Sequence, residues 1–197
     1  TSGEFSSGRN TGIRVVGVHD DLVLLGRRGA EVNRHMSIYT YSLNGERGVS
    51  MRVAIAGGGI GGLSAALALA RRGVTVDVFE RAKGLAEVGA GIQISPNGAY
   101  ALEALGLGSA LETIAVRPAR IAMRRWKDDS LIHEVPLGET VRGRYGCIYA
   151  NVLRSDLVRI LSDALSRHPG VGIHYGLSAV SVVMEDDGAT LQLDNGS

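Results

Sequence analysis

The sequence has almost no cysteine: Cys147 stands alone among 197 residues. An intramolecular disulfide is therefore excluded, as is a zinc site built on paired thiolates, and a cytoplasmic setting is the default expectation. Long apolar runs are missing too. The longest largely apolar stretch, residues 63–70, is far short of the roughly 20 residues that a membrane-crossing helix requires. Nor is there a block of one charge. The chain has 21 basic and 20 acidic residues, a net charge of +1, and its basic residues are spread along its length. Neither a nucleic-acid surface nor a polybasic membrane patch is expected. What is present is 45% hydrophobic content, which suits a globular chain of one domain or slightly more with a real core.

Residues 1–50 do not read as a domain. "TSGEFSSGRNTG" is rich in serine and glycine, the apolar pieces "IRVVGV" and "LVLLG" are short and split by charges, and "YTYSLNGERGVS" runs into Met51 without a clear element. A signal peptide would place basic residues before an unbroken apolar run of about 7–15 residues, and this segment has neither feature. The expectation is that Met51 is the natural start and that residues 1–50 are a leader from upstream translation, not native to the domain, with a disordered or loosely docked extension carrying two marginal strands as the alternative.

From Met51 the pattern sharpens. Residues 53–56 form a short apolar run of the kind a buried parallel strand shows. The stretch "GGGIGG", residues 57–62, follows it. Glycine inside regular structure costs about 0.5–1 kcal/mol relative to alanine, so this run must serve a backbone geometry that side chains would block. Leu63, Ala66, Leu67, Leu69 and Ala70 then recur at helical spacing, with small residues between them, and Arg71-Arg72-Gly73 supplies a stop. Val74, Val76, Val78 and Phe79 give a second β-rich run ending at Glu80.

Strand, glycine turn, helix and strand within about thirty residues make one βαβ unit. Gly57 permits the tight turn, Gly59 lets the main chain approach a pyrophosphate, and Gly62 lets the helix pack on the strand. The helix N-terminus offers unpaired N–H groups and roughly half a positive charge to the anion. Glu80, eighteen residues after Gly62, is placed to accept hydrogen bonds from a ribose diol. A carboxylate there argues against a 2′-phosphate. The unit is therefore expected to bind an ADP-containing dinucleotide, with FAD and NAD not yet separated.

A simple NAD domain would continue with another helix and parallel strand. Here a second glycine-rich loop, residues 84–91, leads into "IQISPNG", which reads as an extended segment covering the cofactor. A helix starting at Ser95 or Pro96 runs through Leu105. "RIAMRRW" and "LIHEVPLG" read as antiparallel strands and "CIYANV" as a further strand. "RSDLVRILSDALSRHPG" reads as a helix capped by Ser155 and stopped by Pro169, with Leu157, Ile160, Leu161, Ala164 and Leu165 on its core face. Three strands follow, the last two joined by a hairpin turn at Asp186-Asp187-Gly188.

The fingerprint ending in "VFER", the segment "EVGAGIQISPNG", the run "VPLGE…YGCIYANVLRSDL" and the closing hairpin together resemble the class A FAD-dependent aromatic monooxygenases. The likeness is to salicylate-hydroxylase-like and 6-hydroxynicotinate 3-monooxygenase-like members, and it covers residues 51–197. It implies an α/β fold: a Rossmann-like FAD-binding domain of the glutathione-reductase type with an inserted antiparallel β segment, incomplete at its C-terminus. It also implies FAD as cofactor, NADH or NADPH as co-substrate, and molecular oxygen and a small aromatic compound as the other partners.

Carried over position by position, the resemblance puts Gly57, Gly59 and Gly62 on the FAD pyrophosphate, Glu80 on the adenosine ribose and Arg81 over the adenosine side. Arg154 resembles the arginine that reaches the flavin's phosphate region, where a permanent cation suits an anion. The alternative for Arg154 is an ion pair with Asp156. Gln93 stands where relatives have a glutamine or a histidine facing the flavin and substrate side. In the 6-hydroxynicotinate enzymes the resemblance suggests histidine there, so Gln93 weighs against that substrate. No metal is expected. His133, His168 and His174 read as structural or solvent histidines, and Tyr145, Cys147 and Tyr149 as packing.

Relatives continue beyond the hairpin into a glycine-alanine-aspartate-glycine strand end and a substrate sheet, so the chain is expected to be the N-terminal part of a longer enzyme. Two other readings stay open: a related FAD oxidoreductase such as an epoxidase or reductase, and a nucleotide-binding product without catalytic activity.

Overall fold

The computed structural model describes residues 13–14, 37–43, 50–84, 90–185 and 188–196. The chain divides into two compact units, Thr1–Gly84 with His168–Ser197, and Leu85–Arg167. The first unit opens with β1 (Ile13–Arg14), β2 (Ser37–Leu43), β3 (Ser50–Ala56), α1 (Ile60–Ala70) and β4 (Thr75–Glu80). The second comprises β5 (Gly91–Ile94), α2 (Pro96–Ala104), α3 (Gly108–Ile114), β6 (Arg120–Arg124), β7 (Leu131–Pro136), α4 (Gly138–Tyr145), β8 (Ala150–Leu153) and α5 (Arg154–Leu165). The chain then returns to the first unit for β9 (Val171–Tyr175), β10 (Ala179–Glu185) and β11 (Gly188–Leu193). The architecture is α/β.

In the first unit, β3, β4 and β9 are parallel, with Val53 opposite Val76 and Val78 opposite Ile173. Continuous apolar runs suit strands covered on both faces, and Val53, Ala54, Ile55, Val76 and Val78 have no exposed surface. α1 connects β3 to β4 and buries Gly62, Leu63, Ala66, Leu67 and Ala70. Burying a leucine side chain of this kind stabilises by about 1.5–3 kcal/mol, and the small residues between let the helix lie close to the strands. After Ala70 the chain turns through Gly73, whose φ of +79° falls where side chains are strained.

A second layer of this unit, β10 and β11 with β1, is antiparallel. Its Leu191 and Leu193 pack with Ala54 and Phe79, joined by Leu177, Ala179 and Val182. The strand order of the larger sheet is β2-β3-β4-β9. β2 lies antiparallel along the whole of β3, from Ser37 opposite Ala56 to Leu43 opposite Ser50. Both β1 and β2 fall within residues 1–50. The turn residues Asp186 and Asp187 lie outside the described residues.

In the second unit, β5 and β8 form an antiparallel pair, and Ala150 and Val152 of β8 are buried, as are Leu157, Leu161 and Leu165 of α5. β6 and β7 form a separate antiparallel hairpin whose strands are exposed along their length. Three local expectations are corrected. Ser155 does not cap α5. β8 runs directly into the helix, which begins at Arg154 with Leu153 at the cap position and no side-chain cap bond. β8 starts at Ala150, so Cys147 and Ile148 precede it. Two helices, α3 and α4, stand where no element was expected. α4 buries no residue and ends at Gly146 in the left-handed conformation, φ +75°, so it carries no apolar periodicity to read. Among the described residues no helix is long and apolar enough to cross a membrane.

Candidate functional site

The glycine run forms the turn between β3 and α1. Gly57 has φ +106°, and its N–H donates to the Phe79 carbonyl at 2.8 Å, which ties the turn to the end of β4. Gly58 is buried, and its N–H donates to Glu80 Oε2 at 2.7 Å. Gly59 is the extended cap residue of α1, and no side chain caps the helix. The first intrahelical bond runs from Leu63 N–H to the Gly59 carbonyl, 2.9 Å. By helix geometry the N–H groups of Ile60, Gly61 and Gly62 have no intrahelical acceptor, and the first turn holds no acidic residue. The positive end of the helix is thus not neutralised by a side chain of its own first turn, an arrangement that can take an anion.

Gly62 is required for a different reason. A Cβ there would collide with the Gly57 carbonyl oxygen and lie 3.3 Å from Ile55 Cγ2. The first turn of α1 therefore passes over the loop at a separation only glycine allows. A Cβ on Gly58 would lie 3.0 Å from Glu80 Cβ, so this position is also tight.

Glu80 closes the arrangement from β4. Its Oε2 accepts from Gly58 and its Oε1 from the Ala82 N–H at 2.9 Å. Each oxygen keeps lone-pair capacity beyond that single bond, as a diol would require. The carboxylate thus braces the glycine loop and sits beside the helix N-terminus at once. Arg81 follows it and is exposed.

The second unit carries the other two expected residues. Gln93 is exposed on β5, directly opposite Asn151 of β8. Arg154, also exposed, opens α5, and its main-chain N–H donates to the Ala90 carbonyl at 3.2 Å. The alternative pairing of Arg154 with Asp156 is not formed: Asp156 Oδ1 accepts from Arg159 Nη2 at 3.0 Å. The structure therefore gathers Gly57, Gly59, Gly62 and Glu80 within the first unit, with Arg81 adjoining, and holds Gln93 and Arg154 in the second.

One polar cluster escaped the sequence reading. Asp77, buried on β4, takes Arg52 Nε and Nη2 on Oδ2, both at 2.7 Å, and His174 Nε2 lies 2.8 Å from its Oδ1. His174 also stacks on Phe79, with ring centroids 4.9 Å apart. The partners lie 25 and 97 residues from Asp77 in sequence, and only the register of β3, β4 and β9 brings them together. Cys147 is buried and donates to Glu103 Oε2 at 3.5 Å. Burial, and then the Glu103 carboxylate, pushes its thiol pKa up, which suits packing rather than nucleophilic chemistry. Among the described residues no group of three or more His, Cys, Asp or Glu side chains is placed to hold a metal.

Comparison with known proteins now bears on the site. The family described as "FAD binding domain" matches residues 50–197. A 3-amino-4-hydroxybenzoate 2-monooxygenase of Streptomyces platensis is 42% identical over 146 residues, 74% of this chain and 36% of the relative. A 3-hydroxybenzoate 6-hydroxylase of Polaromonas naphthalenivorans is 38% identical over 145 residues, 74% of this chain and 36% of the relative. Among solved structures, Klebsiella pneumoniae HpxO complexed with FAD and uric acid matches with a TM-score of 0.64 at 32% identity, covering 74% of this chain and 35% of that one. The chain spans about a third of the length of these relatives. With the family matched across three-quarters of its residues and the glycine turn, helix N-terminus and Glu80 inside that match, the chain belongs to the FAD-binding-domain family of flavin-dependent monooxygenases.

Proposed function

We propose that residues 51–197 are the N-terminal part of the FAD-binding domain of a cytoplasmic monooxygenase. The enzyme hydroxylates a small aromatic compound, hydroxybenzoate-like or hydroxypyridine-like, with NADH or NADPH and molecular oxygen as co-substrates. In this reading the domain is Rossmann-like, of the glutathione-reductase type, with β6 and β7 as an inserted antiparallel segment. The family match begins at residue 50. The observation that carries the proposal is the glycine turn opening onto the uncapped N-terminus of α1 with Glu80 beside it.

The residues fit the ADP half of FAD. The pyrophosphate takes the N–H groups of the first turn of α1 that have no intrahelical acceptor, with Gly57 and Gly59 offering no side chain in its way and Gly62 keeping the helix close to the loop. Glu80 accepts the ribose hydroxyls while still holding the loop, and Arg81 covers the adenosine side. Arg154 supplies a cation for the phosphate region. When bound, FAD supplies the redox and oxygen chemistry of the reaction. What the chain contributes is position, charge complementarity and exclusion of water, and no side-chain nucleophile is needed. The names of the relatives, which act on an aminohydroxybenzoate and a hydroxybenzoate, support the aromatic substrate class.

A chimera tests this. Residues 51–197 would replace the matched third of the 3-hydroxybenzoate 6-hydroxylase. The expected product is a yellow protein that hydroxylates 3-hydroxybenzoate at the expense of NADH or NADPH. A folded chimera that retains no flavin would overturn the assignment.

A further inference from the structure

We propose that Asn151 is a positioning residue for Gln93, fixing which end of the Gln93 amide is presented to a bound ligand. Asn151 lies on β8 directly opposite Gln93 on β5. Its own main-chain groups are turned the other way. Its N–H donates to the Val116 carbonyl at 2.8 Å, and its carbonyl accepts from the Val116 N–H at 2.9 Å. Toward β5, Gln93 and Asn151 are therefore a non-hydrogen-bonded antiparallel pair, the kind in which facing Cα atoms are about 4.5 Å apart and side chains are closest.

The side-chain oxygen of Asn151, Oδ1, is buried and has no hydrogen-bond partner among the described residues. Buried amide oxygens without a donor are rare, because the group has given up water for nothing. The amide of Gln93, on the same face, carries two N–H donors and has no partner among the described residues either. The two side chains are not bonded in the structure; the proposed pair forms by rotation of the Gln93 side chain, its Nε2 donating to Asn151 Oδ1.

The chemistry follows from which end is used. With Nε2 held by Asn151, Gln93 offers Oε1 outward, which accepts hydrogen bonds and donates none. Its ligand contact then selects a donor, a phenolic O–H or a ring N–H, over a carboxylate or carbonyl oxygen at the same place. Leu153, also exposed and on the same face of the β5–β8 pair, adds an apolar ledge beside it. The donor-selecting consequence rests on the proposed reading that Gln93 faces a ligand, whereas the Gln93–Asn151 pair does not.

Nuclear magnetic resonance of the ¹⁵N-labelled full chain separates the two. In the unliganded wild type, one Gln93 Nε2 proton is expected to exchange with water at least roughly tenfold more slowly than a free glutamine amide and to show a cross-peak to the Asn151 side chain. N151L should abolish that protection, and N151D, which keeps the acceptor, should restore it. Free exchange at Gln93 in the wild type overturns the proposal, and so does a protected Asn151 amide donating to Gln93, since that reverses the pair. Because the wild-type measurement decides the pair, misfolding of a variant cannot rescue it. Titration with phenol and with benzoate then tests selection. Larger shifts at Gln93 with phenol are expected. A protected pair that responds equally to both, or to neither, refutes the donor selection and leaves the pair standing.

Discussion

Replacing Glu80 with alanine separates the loop-bracing part of the site from everything else in the fold. The carboxylate accepts two main-chain N–H groups, from Gly58 at 2.7 Å and Ala82 at 2.9 Å. Gly58 is buried, so its N–H would be left without acceptor or water, at a cost of about 1–3 kcal/mol. Ala82 is only half-buried, and water replaces most of what its N–H loses, adding about 0.5–1 kcal/mol. Together these give about 1.5–4 kcal/mol, which at 1.4 kcal/mol per decade corresponds to roughly 10- to 700-fold faster local opening. The assay is amide hydrogen exchange at Gly58 and along β3 and β4. Fluorescence of Trp126, the only tryptophan, would not serve, because it belongs to the second unit. Glu80→Gln, which keeps one acceptor oxygen, should fall between wild type and Glu80→Ala. Unchanged exchange at Gly58 in Glu80→Ala would refute the argument that this carboxylate holds the loop.

Three further outcomes follow from the packing. Gly62→Ala places a Cβ against the Gly57 carbonyl, so helix or loop must shift, and urea unfolding followed by circular dichroism should show a loss of about 1–3 kcal/mol. Asp77→Ala removes the shared partner of Arg52 and His174. Because those side chains are 39% and 42% exposed and regain water, the cost should be about 1–3 kcal/mol rather than that of a fully buried pair, with Asp77→Asn milder. Cys147, whose thiol pKa is raised first by burial and then by Glu103, should be alkylated by iodoacetamide more slowly than free cysteine near neutral pH, speed up only as pH rises beyond the ordinary thiol range, and react fully once the chain is unfolded. Native labelling at the free-thiol rate would contradict this.

What could be read from the sequence was whatever local spacing encodes. The turn at residues 57–62, the apolar face of α1 and the run ending at Glu80 each follow from residue order, because the steric demand on Gly62 and the uncapped helix N-terminus are set within one βαβ unit. α4 was invisible because it buries nothing. The start of α5 was misplaced because a serine after a strand looks like a cap, whereas here Leu153 of the strand itself occupies the cap position. The Arg52–Asp77–His174 cluster could not be read at all, since strand register alone assembles it. The same holds for Gln93 and Asn151: "IQIS" and "YANV" are separate short runs whose facing positions appear only when β5 meets β8.

The central claim is that the glycine turn, the N-terminus of α1 and Glu80 hold the ADP half of FAD. Calorimetric titration of the purified chain with ADP, alongside Glu80→Ala and Gly62→Ala, addresses it without needing any later part of an enzyme. The account predicts measurable binding of ADP by the wild type, weakened about 5- to 150-fold by Glu80→Ala, the range of about 1–3 kcal/mol for lost charge-assisted hydrogen bonds, and weakened again where Gly62 is replaced. A folded wild-type chain that takes up no ADP, or affinity that is the same in all three proteins, would contradict it.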